Sequence, residues 1–398
     1  MTKPTTASRR AKSSGAISVR TTSAGRARYE ARVSLTHPGT GKRRQVGKTF
    51  SVRADAQRWL TAQLASVDGG TFSEDYQLTV QGWLTRWLAA KDRELRPSTR
   101  SAYQTIIQRH VSPRLGGTKL AELKPSHLSE AYGAIMADSE GKGRSQVGPA
   151  TVQRINAVLR SALSDAMRDG YVSRNVASLV RLPKVSKPQQ KWWEVSHVRT
   201  FTEYTRGDRH QALWLLLLRC GLRRGEALGL CWEDVMLDAA DGTWPHARIT
   251  RQVLAVGSKI LRGDPKTDSG RRVVVLDPVT IVALKAWRKV QAAERLAAGL
   301  AWGGDPEIFT NTVGRVTDPA WVTKRFRTLA QEAGLPIIRL HDARHTAASQ
   351  WLAAGVPLKD VSGLLGHSSI SITADTYGHV LDDSRQAAAR AMAARLDG

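Results

Sequence analysis

Alternating apolar and polar positions near the start of the chain predict a small sheet backed by one helix. Residues 28–34 alternate as a strand does, and residues 45–50 repeat the pattern after a turn rich in Pro and Gly. Residues 54–67 follow with helical spacing and turn their apolar side chains toward the strands. We therefore expect a β-sheet and helix domain over residues 16–70.

The next part of the chain has the spacing of amphipathic helices. Apolar residues recur at i, i+3, i+4 and i+7 over residues 80–88, and they line one face again over residues 152–167. Pro97 and Pro125, each followed by Ser, mark the starts of two further helices. These four helices predict an all-α domain over residues 75–180.

Residues 191–398 mix the two patterns, and residues 181–190, with two prolines, precede them as a linker. Three helices are predicted first, over residues 195–206, 209–219 and 223–231. A strand-rich stretch over residues 246–276 follows, and helices continue to the end of the chain. The whole pattern predicts a multidomain α+β protein whose last domain is mixed and mainly α, with a small antiparallel sheet.

The net charge of the chain indicates what kind of partner it binds. Sixty Lys and Arg stand against 35 Asp and Glu, which gives a net charge of +25. A positive field attracts polyanions, so DNA or RNA is the first expected partner and an anionic membrane surface the second. Fourteen basic residues and two acidic ones lie in the first 60 positions, and residues 1–15 are predicted to be a disordered basic arm.

The arginine-rich strands of the 16–70 domain are expected to lie in a DNA groove. The alternative is a basic fold that makes no groove contact. The candidate DNA-binding residues are Arg26, Arg28, Arg32, Lys42, Arg43, Arg44 and Lys48.

Other classes of protein are disfavoured by what the chain lacks. No segment approaches the ~20 apolar residues that span a bilayer, and no apolar stretch follows the basic start as in a secretory signal. Cys220 and Cys231, both in one predicted helical region, suggest no disulfide framework. A reducing cytoplasm is therefore the expected location.

Six side chains in residues 191–398 form a set suited to phosphate chemistry. They are Arg223, Lys266, His341, Arg344, His367 and Tyr377. Arg223 lies between two glycines at a predicted helix start, where a guanidinium can clamp a phosphate. His341 and Arg344 are three apart and share a helix face. Each residue alone has an ordinary explanation, such as a solvated charge or a core tyrosine, and only the combination points to a site.

The set offers cations and a hydroxyl nucleophile, without a cluster of carboxylates. Two guanidinium groups can balance the charge of a pentacovalent phosphate, so phosphoryl transfer needs no metal here and no cofactor is expected. A phenol with a pKa of about 10 is roughly one part in a thousand ionised at neutral pH. The site must therefore lower the pKa of that phenol or provide a histidine as base.

In order and approximate spacing, these residues resemble the catalytic domain of the tyrosine recombinase (phage integrase) family. The surrounding phrases GLRRGEALGL, PKTDSGRR, LHDARHTAAS and LLGHSSISITADTYGH resemble it too. The likeness covers residues 191–390, and more weakly residues 75–180, which look like the family's core-binding (SAM-like) domain. The first 70 residues look like an arm-type DNA-binding domain. One departure is Cys220, where many members carry Thr, and we expect no loss of activity from it.

The resemblance implies an integrase that cleaves and rejoins DNA strands to integrate or excise a phage or mobile element. Tyr377 would attack the scissile phosphate and form a 3′-phosphotyrosine. Arg223 and Arg344 would clamp the non-bridging oxygens, and Lys266 would protonate the leaving 5′-oxygen. By this logic neither ATP nor a metal is required.

The remaining residues of the set have supporting roles by the same resemblance. His341 and His367 would hydrogen-bond the phosphate or manage the tyrosine proton, and Glu226 would orient Arg223. The implied partners are double-stranded attachment sites, three further copies of the chain in a tetramer on DNA, a directionality factor for excision and a host DNA-bending protein. A terminal helix over residues 383–396 is expected to dock on a neighbouring subunit.

Four other interpretations stay open, of which a topoisomerase with the same covalent intermediate fits the size and the helical domain least well. His341 and His345 have the i, i+4 spacing of a zinc hydrolase, with His367 as a third ligand and Asp342 where that motif has Glu. A DNA-binding protein that no longer cuts would keep the basic domains but lose a catalytic residue. A chromosome-dimer resolving recombinase of the Xer type would share the catalytic residues, although such enzymes usually lack the N-terminal arm domain.

Overall fold

The computed structural model describes most of the chain in two compact units, residues 1–186 and 187–398. The described residues are 14–21, 26–36, 43–68, 77–138, 147–185, 191–239, 242–257, 259–265, 268–377, 392–393 and 395–396. Each unit has its own apolar core, as expected for a chain too long for one core.

The first unit begins with an antiparallel sheet in the order β1-β2-β3 and one helix. The elements are β1 (Ser14–Thr21), β2 (Ala27–Thr36), β3 (Arg43–Phe50) and α1 (Arg53–Asp68). Ala31 and Val33 of β2 are buried against Ala56 and Leu60 of α1. A Cβ on Gly15 would come within 2.5 Å of Leu60, so glycine lets β1 approach the helix closely.

Strand β1 was not predicted, and it begins inside the residues expected to form the arm. Its sequence SGAISVRT has few large apolar side chains, so its alternation is weak. Its pairing with β2 along the whole length, from Ser14 opposite Ser34 to Thr21 opposite Ala27, satisfies its backbone groups instead. The two strands and the helix that the pattern predicted are present.

Five α-helices lie in the described part of the first unit that follows α1. They are α2 (Val80–Ala90), α3 (Pro97–Ile106), α4 (Ser112–Leu115), α5 (Pro125–Ala137) and α6 (Pro149–Arg168). Trp83 and Trp87 of α2 are buried and donate their indole N–H groups to the Ala162 carbonyl and the Asp165 carboxylate of α6. Residues 80–88 and 152–167 therefore pack their predicted apolar faces against each other.

In its described residues, the second unit surrounds its core with seven α-helices, the helical residues 370–377 and two small sheets. The helices are α7 (Val195–Tyr204), α8 (Gln211–Leu218), α9 (Arg224–Leu228), α10 (Pro278–Ala298), α11 (Pro319–Glu332), α12 (Asp342–Ala353) and α13 (Leu358–Leu365). The strands are β4 (Val235–Met236), β5 (His246–Ile249), β6 (Gln252–Val256), β7 (Lys259–Gly263) and β8 (Arg272–Val275). The sheets have the orders β4-β5-β8 and β6-β7, and both are antiparallel.

The expected fold class is confirmed: a small sheet with a helix, an all-α part and a mixed, mainly-α part with small antiparallel sheets. The strand-rich stretch 246–276 contains β5 to β8. The helix predicted over residues 223–231 is shorter, because Gly229 ends α9. Cys231 therefore lies beyond that helix, and the expectation of one helical region holding both cysteines was wrong.

Two expectations about the chain's ends and boundaries stay predictions. The domain limits remain at residues 16–70, 75–180, 181–190 and 191–398 as predicted from the sequence. Of the helix expected over residues 383–396, the structure describes only 392–393 and 395–396, which are helical. Among the described helices, none is long and apolar enough to cross a membrane.

Candidate active site

The C-terminal end of α13 holds three arginines that are far apart in the sequence. Arg272 donates from Nε to the Leu364 carbonyl at 2.6 Å, and Arg344 donates from Nη2 to the Leu365 carbonyl. Arg223 reaches the next carbonyl, that of Gly366, at 3.4 Å. Carbonyls at a helix C-terminus lack helical partners and carry partial negative charge. Three consecutive carbonyls therefore fix three guanidinium groups side by side.

Gly366 makes this end of the helix possible. Its backbone is left-handed, with φ of 63° and ψ of 48°, a conformation that favours glycine. A Cβ here would lie 2.6 Å from the Ser269 carbonyl oxygen and 3.1 Å from Cδ of Arg272. The phrase LLGH thus ends α13, brings it against residues 269–272 and presents His367 directly after the turn.

Glu226 joins two of the arginines. Arg223, the N-cap residue of α9, donates Nη1 to Glu226 Oε1 at 2.5 Å, and its backbone N–H donates to Oε2 at 2.9 Å. Arg272 Nη2 donates to the same Oε2 at 2.9 Å. Burial alone would raise the pKa of Glu226, but the hydrogen bonds and charges of Arg272 and Arg223 outweigh it and lower that pKa. Glu226 is thus an ionised carboxylate that orients both guanidinium groups.

Arg344 is the most deeply buried cation of the group, with 3% of its surface exposed. Its Nη1 donates to the Gly221 carbonyl at 2.8 Å, so both described hydrogen bonds go to neutral carbonyls. Burial, followed by the charges of Arg223 and Arg272, lowers the pKa of Arg344 to about 9. It stays protonated at neutral pH, and its incompletely balanced charge favours an anion such as a phosphate.

Tyr377 and His345 form a hydrogen-bonded pair in the same unit. The Tyr377 hydroxyl lies 2.7 Å from Nδ1 of His345 on α12. The tyrosine is 1% exposed, and it packs with Ala348, Leu352 and Leu365 in a small apolar cluster. Burial raises the pKa of Tyr377 to about 12, against the opposing effect of the Arg344 charge. The resting phenol is therefore protonated and sheltered, and it lies within the electrostatic reach of Arg344.

The other two histidines flank this pair without holding the hydroxyl. His341, the exposed N-cap residue of α12, stands edge-on to His345 with ring centroids 5.2 Å apart. His367 is half-buried, and its Nδ1 lies 2.8 Å from Thr373 Oγ1. Desolvation and then the charge of Arg344 lower the pKa of both, that of His367 to about 4. The lowered pKa favours the neutral form of both rings at pH 7.

Lys266 lies outside the described residues. The chain on either side of it is described, with β7 ending at Gly263 and a short turn at Asp268–Gly270 leading into β8. Cys220 lies just before Arg223 and is buried, and burial raises the pKa of its thiol to about 12. It packs in the core as a protonated thiol, and the expectation that its presence costs no activity stays a prediction.

The sheet β1–β3 presents one face to α1 and an opposite, polar face. On the polar face, Arg28 pairs across the strands with Arg20, and Arg32 lies opposite Ala16 and Gly47. Glu30, between the two arginines of β2, accepts from Arg32 at 2.8 Å and lies 3.5 Å from Arg20. The result is a flat face with small neighbours and a net positive charge.

The other candidate DNA-binding residues are placed less uniformly. Lys48 lies opposite Ala31, on the α1 face, with its Nζ 5.7 Å from the Phe50 ring centroid. Arg26 precedes β2 and is exposed, and Arg43 and Arg44 begin β3. Lys42 lies outside the described residues.

Sequence reasoning missed three residues of these two surfaces. Arg272 was visible only as part of the phrase PKTDSGRR, and Arg20 lies on the strand that was not predicted. His345 was considered only as a zinc ligand. Within the described residues, the one group of three potential ligands, Cys231 with Glu233 and Asp234, includes no histidine. The geometry gives the zinc hydrolase no support, because His345 faces Tyr377 instead.

Two protein families match the chain. Residues 194–384 match the phage integrase family, and residues 79–136 match the phage integrase N-terminal SAM-like domain. Together they span more than half of the chain.

Individual relatives cover most of the chain. A tyrosine recombinase XerC-like protein of Caldanaerobacter subterraneus is 28% identical over 90% of this chain and 93% of its own length. An integrase of Saccharopolyspora erythraea is 27% identical over 77% of this chain and 80% of its own. Among solved structures, the Tn1549 transposon integrase in complex with transposon right-end DNA has a TM-score of 0.62 at 22% identity. It covers 80% of this chain and 100% of its own.

Proposed function

The chain belongs to the phage integrase family of tyrosine recombinases, and from this premise we propose that Tyr377 is the residue that cleaves DNA. It attacks the scissile phosphate to give a 3′-phosphotyrosine and a free 5′-hydroxyl. A second strand's 5′-hydroxyl then attacks the ester and rejoins the DNA. The ester keeps the energy of the broken linkage, so this logic requires neither ATP nor a metal.

The observation that supports this proposal is the convergence of Arg223 and Arg344 on adjacent carbonyls. Because one bonds Gly366 and the other Leu365, their remaining N–H groups are available to one phosphate. Fixed guanidinium groups stabilise the charge that develops on the non-bridging oxygens. Arg272 and Glu226 hold this clamp in place, and Lys266 is assigned as the acid for the 5′-oxygen.

The sheltered position of Tyr377 calls for a movement before attack. The phenol belongs to the helical residues 370–377, the last continuous segment that the structure describes. Its ring fills an apolar cluster, while its hydroxyl already contacts α12 one residue from Arg344. A shift of residues 370–377 would carry the hydroxyl to the phosphate that Arg223 and Arg344 hold.

DNA attachment sites are the proposed substrate. The polar face of β1–β3, with Arg20, Arg28 and Arg32, would contact arm-type DNA, while residues 77–185 and the second unit would contact the core site. Exchange of two duplexes needs four active sites, so the working assembly is a tetramer on DNA. A directionality factor and a host DNA-bending protein complete the proposed partners, and the DNA substrate places the reaction in the bacterial cytoplasm.

A nicked suicide substrate that carries the attachment core site tests the proposal. Wild-type protein should form a covalent adduct on a denaturing gel, and Tyr377→Phe should form none. Tyr204→Phe is the matched control, since that tyrosine is exposed and its hydroxyl donates to the Glu332 carboxylate at 3.3 Å. An adduct formed by Tyr377→Phe would remove Tyr377 from its role. A wild-type protein that binds the site but forms no adduct would favour the non-cutting alternative.

The XerC-like relative favours a second candidate, a chromosome-dimer resolving recombinase. The two functions differ in the DNA they require. An integrase with an arm-binding sheet needs arm-type sequences beside one of its two sites, whereas a resolvase recombines two identical core sites. Recombination of paired core sites, with and without flanking element DNA, separates them. Full activity on bare identical cores would favour the resolvase.

A further inference from the structure

His345 contacts the Tyr377 hydroxyl, which is the reacting group in the proposed function. Its Nδ1 lies 2.7 Å from the Tyr377 hydroxyl oxygen, a distance typical of a direct hydrogen bond between these groups. The ring centroids are 5.6 Å apart with planes tilted by 56°, so the contact is made through the ring nitrogen and is not a stacking contact.

The neighbouring histidines are engaged elsewhere. Nδ1 of His367 bonds Thr373 at 2.8 Å, and the His341 ring packs edge-on against His345 itself. His345 lies one residue after Arg344 on α12. A proton acceptor on the phenol is therefore built into the same helix as one arm of the phosphate clamp.

We propose that His345 is the general base that takes the proton of Tyr377 during strand cleavage. This rests on the proposed function, and it replaces the expectation that His341 or His367 manages that proton. In cleavage, the phenol O–H bond breaks as the O–P bond forms, and the proton moves to Nδ1. The P–O5′ bond breaks, and the 5′-oxygen takes a proton from Lys266. In rejoining, the attacking 5′-hydroxyl gives its proton back to Lys266 as its oxygen bonds phosphorus. The P–O bond to Tyr377 breaks, and the imidazolium returns its proton to the departing phenolate.

Electrostatics explain why the pair waits for DNA. Burial, followed by the charges around the ring, lowers the pKa of His345 to about 4, while the pKa of Tyr377 is about 12. Both groups are therefore neutral in the free site, and full transfer is unfavourable. The proposed base is the tautomer with its ring proton on Nε2, in which Nδ1 accepts the hydrogen bond from the phenol. The groups that act on His345 are His341, Asp342, Arg339, Arg344 and, across the site, His367 and Tyr377. A bound phosphodiester adds negative charge, which stabilises an imidazolium.

His345→Asn is the sharpest variant. An asparagine Oδ1 can accept the phenol hydrogen bond from about the place of Nδ1, but it cannot take a proton. We expect cleavage of the nicked substrate to slow by about 10²-fold or more, which is the usual contribution of a general base. Thermal unfolding and binding of the uncleaved site should match the wild type, since His345 is only half-buried.

Two chemical substitutions separate a base from a merely structural residue. 3,5-Difluorotyrosine at position 377 ionises far more readily than tyrosine, so it should restore most of the activity of His345→Asn. A substrate with sulfur in place of the bridging 5′-oxygen has a leaving group that needs no acid. It should rescue Lys266→Ala and leave His345→Asn slow.

Each outcome decides the matter. Cleavage by His345→Asn at the wild-type rate, or faster, would overturn the proposal, and a faster rate would mean that His345 restrains the tyrosine. A slow variant that the fluorinated tyrosine does not rescue would overturn it too. If Tyr377→Phe forms no adduct while His345→Asn cleaves at the wild-type rate, only the role of His345 as the base is excluded. An adduct in Tyr377→Phe would sink the proposed function itself.

Discussion

The arginines around α13 and those on the sheet β1–β3 share a residue type and little else. Arg272 and Arg344 are almost fully buried, and each donates to at least two fixed backbone carbonyls. Arg20 and Arg28 lie exposed on a sheet face, where Glu30 is the nearby carboxylate. One group is held in place before any ligand arrives, and the other is free to adapt.

The difference in burial determines how each group of arginines can act on a phosphate. A buried guanidinium has already lost its water and its rotational freedom, so it can act on one phosphate with a set geometry. An exposed guanidinium mainly releases counterions from DNA, and its contribution falls as salt rises. Substitutions should therefore change rates at α13, and affinity at the sheet.

The largest expected effect follows from Arg344→Lys. A lysine keeps the charge but cannot bond the Gly221 and Leu365 carbonyls and a phosphate together. Adduct formation on the nicked substrate should fall by roughly 10³-fold, the upper range for loss of one fixed donor. Arg339→Lys is the matched control, because Arg339 is exposed and paired with Asp342. A mild defect in Arg344→Lys would show that charge alone suffices. The fixed geometry of the buried arginines would then not explain their role.

Glu226→Gln should weaken both the clamp and the fold. It removes the charge between Arg223 and Arg272 while the side chain stays 2% exposed, so we expect a loss of about 3 kcal/mol in unfolding free energy. The folded-state pKa of Glu226 is lowered, so its contribution is complete above its ordinary value of 4.5 and disappears as pH falls through the lower folded value.

Denaturant titrations measure this effect. The difference between wild type and Glu226→Gln should be full at pH 7 and should shrink below about pH 4.5. Glu332→Gln, at a half-exposed surface pair, should change little at either pH. A difference that grows as the pH falls would contradict the assignment of an ionised Glu226.

Gly366→Ala should cost less than the charge changes. The left-handed backbone disfavours any side chain by about 1 kcal/mol, and the contact with the Ser269 carbonyl adds to that cost. Gly355→Ala is the matched control, with φ of 83° and no atom within 4 Å of its added Cβ. Both should lower the unfolding temperature, but only Gly366→Ala should also slow adduct formation, by about 10-fold. Equal rates would mean that the carbonyls do not set the clamp.

The smallest effect is expected at the sheet. Arg28→Ala should lower the slope of log affinity against log salt by about 1 on duplex DNA. It should leave cleavage of a core-only nicked substrate unchanged. Lys48→Ala, on the α1 face, should leave the slope unchanged. Fluorescence anisotropy across a salt series measures both. A cleavage defect in Arg28→Ala would contradict the prediction that the sheet arginines affect affinity but not the rate of cleavage.

The local pattern of apolar and polar residues predicted most of the secondary structure. It failed for a strand that is held by pairing with its neighbour and not by an apolar face of its own. Helical spacing predicted α2 and α6, because each buries one apolar face. The pattern did not predict strand β1, because its stability comes from backbone hydrogen bonds to β2 and from the space that Gly15 leaves for Leu60. Such contacts depend on a partner that the local sequence does not contain.

The candidate site divides in the same way. Arg223, Arg344 and Tyr377 were predicted from motif order, since their residue types together suit phosphate chemistry. The roles of Arg272 and His345 were not, because an arginine in a turn and a histidine on a helix are common. Only contact with Leu364 and with the Tyr377 hydroxyl distinguishes them.

The sequence alone was enough to predict which chemical groups the protein has, most of its helices and strands, and which family it resembles. Which of those groups meet depends on the packing of elements that are far apart in the chain. Arg223 and Gly366 are 143 positions apart, and Arg272 and Leu364 are 92 apart. The periodicity of apolar residues reports on a few turns of one element. The contacts between these distant residues depend instead on how α9, β8, α12 and α13 pack. That packing brings a neutral imidazole against the Tyr377 hydroxyl and three guanidinium groups to one helix end.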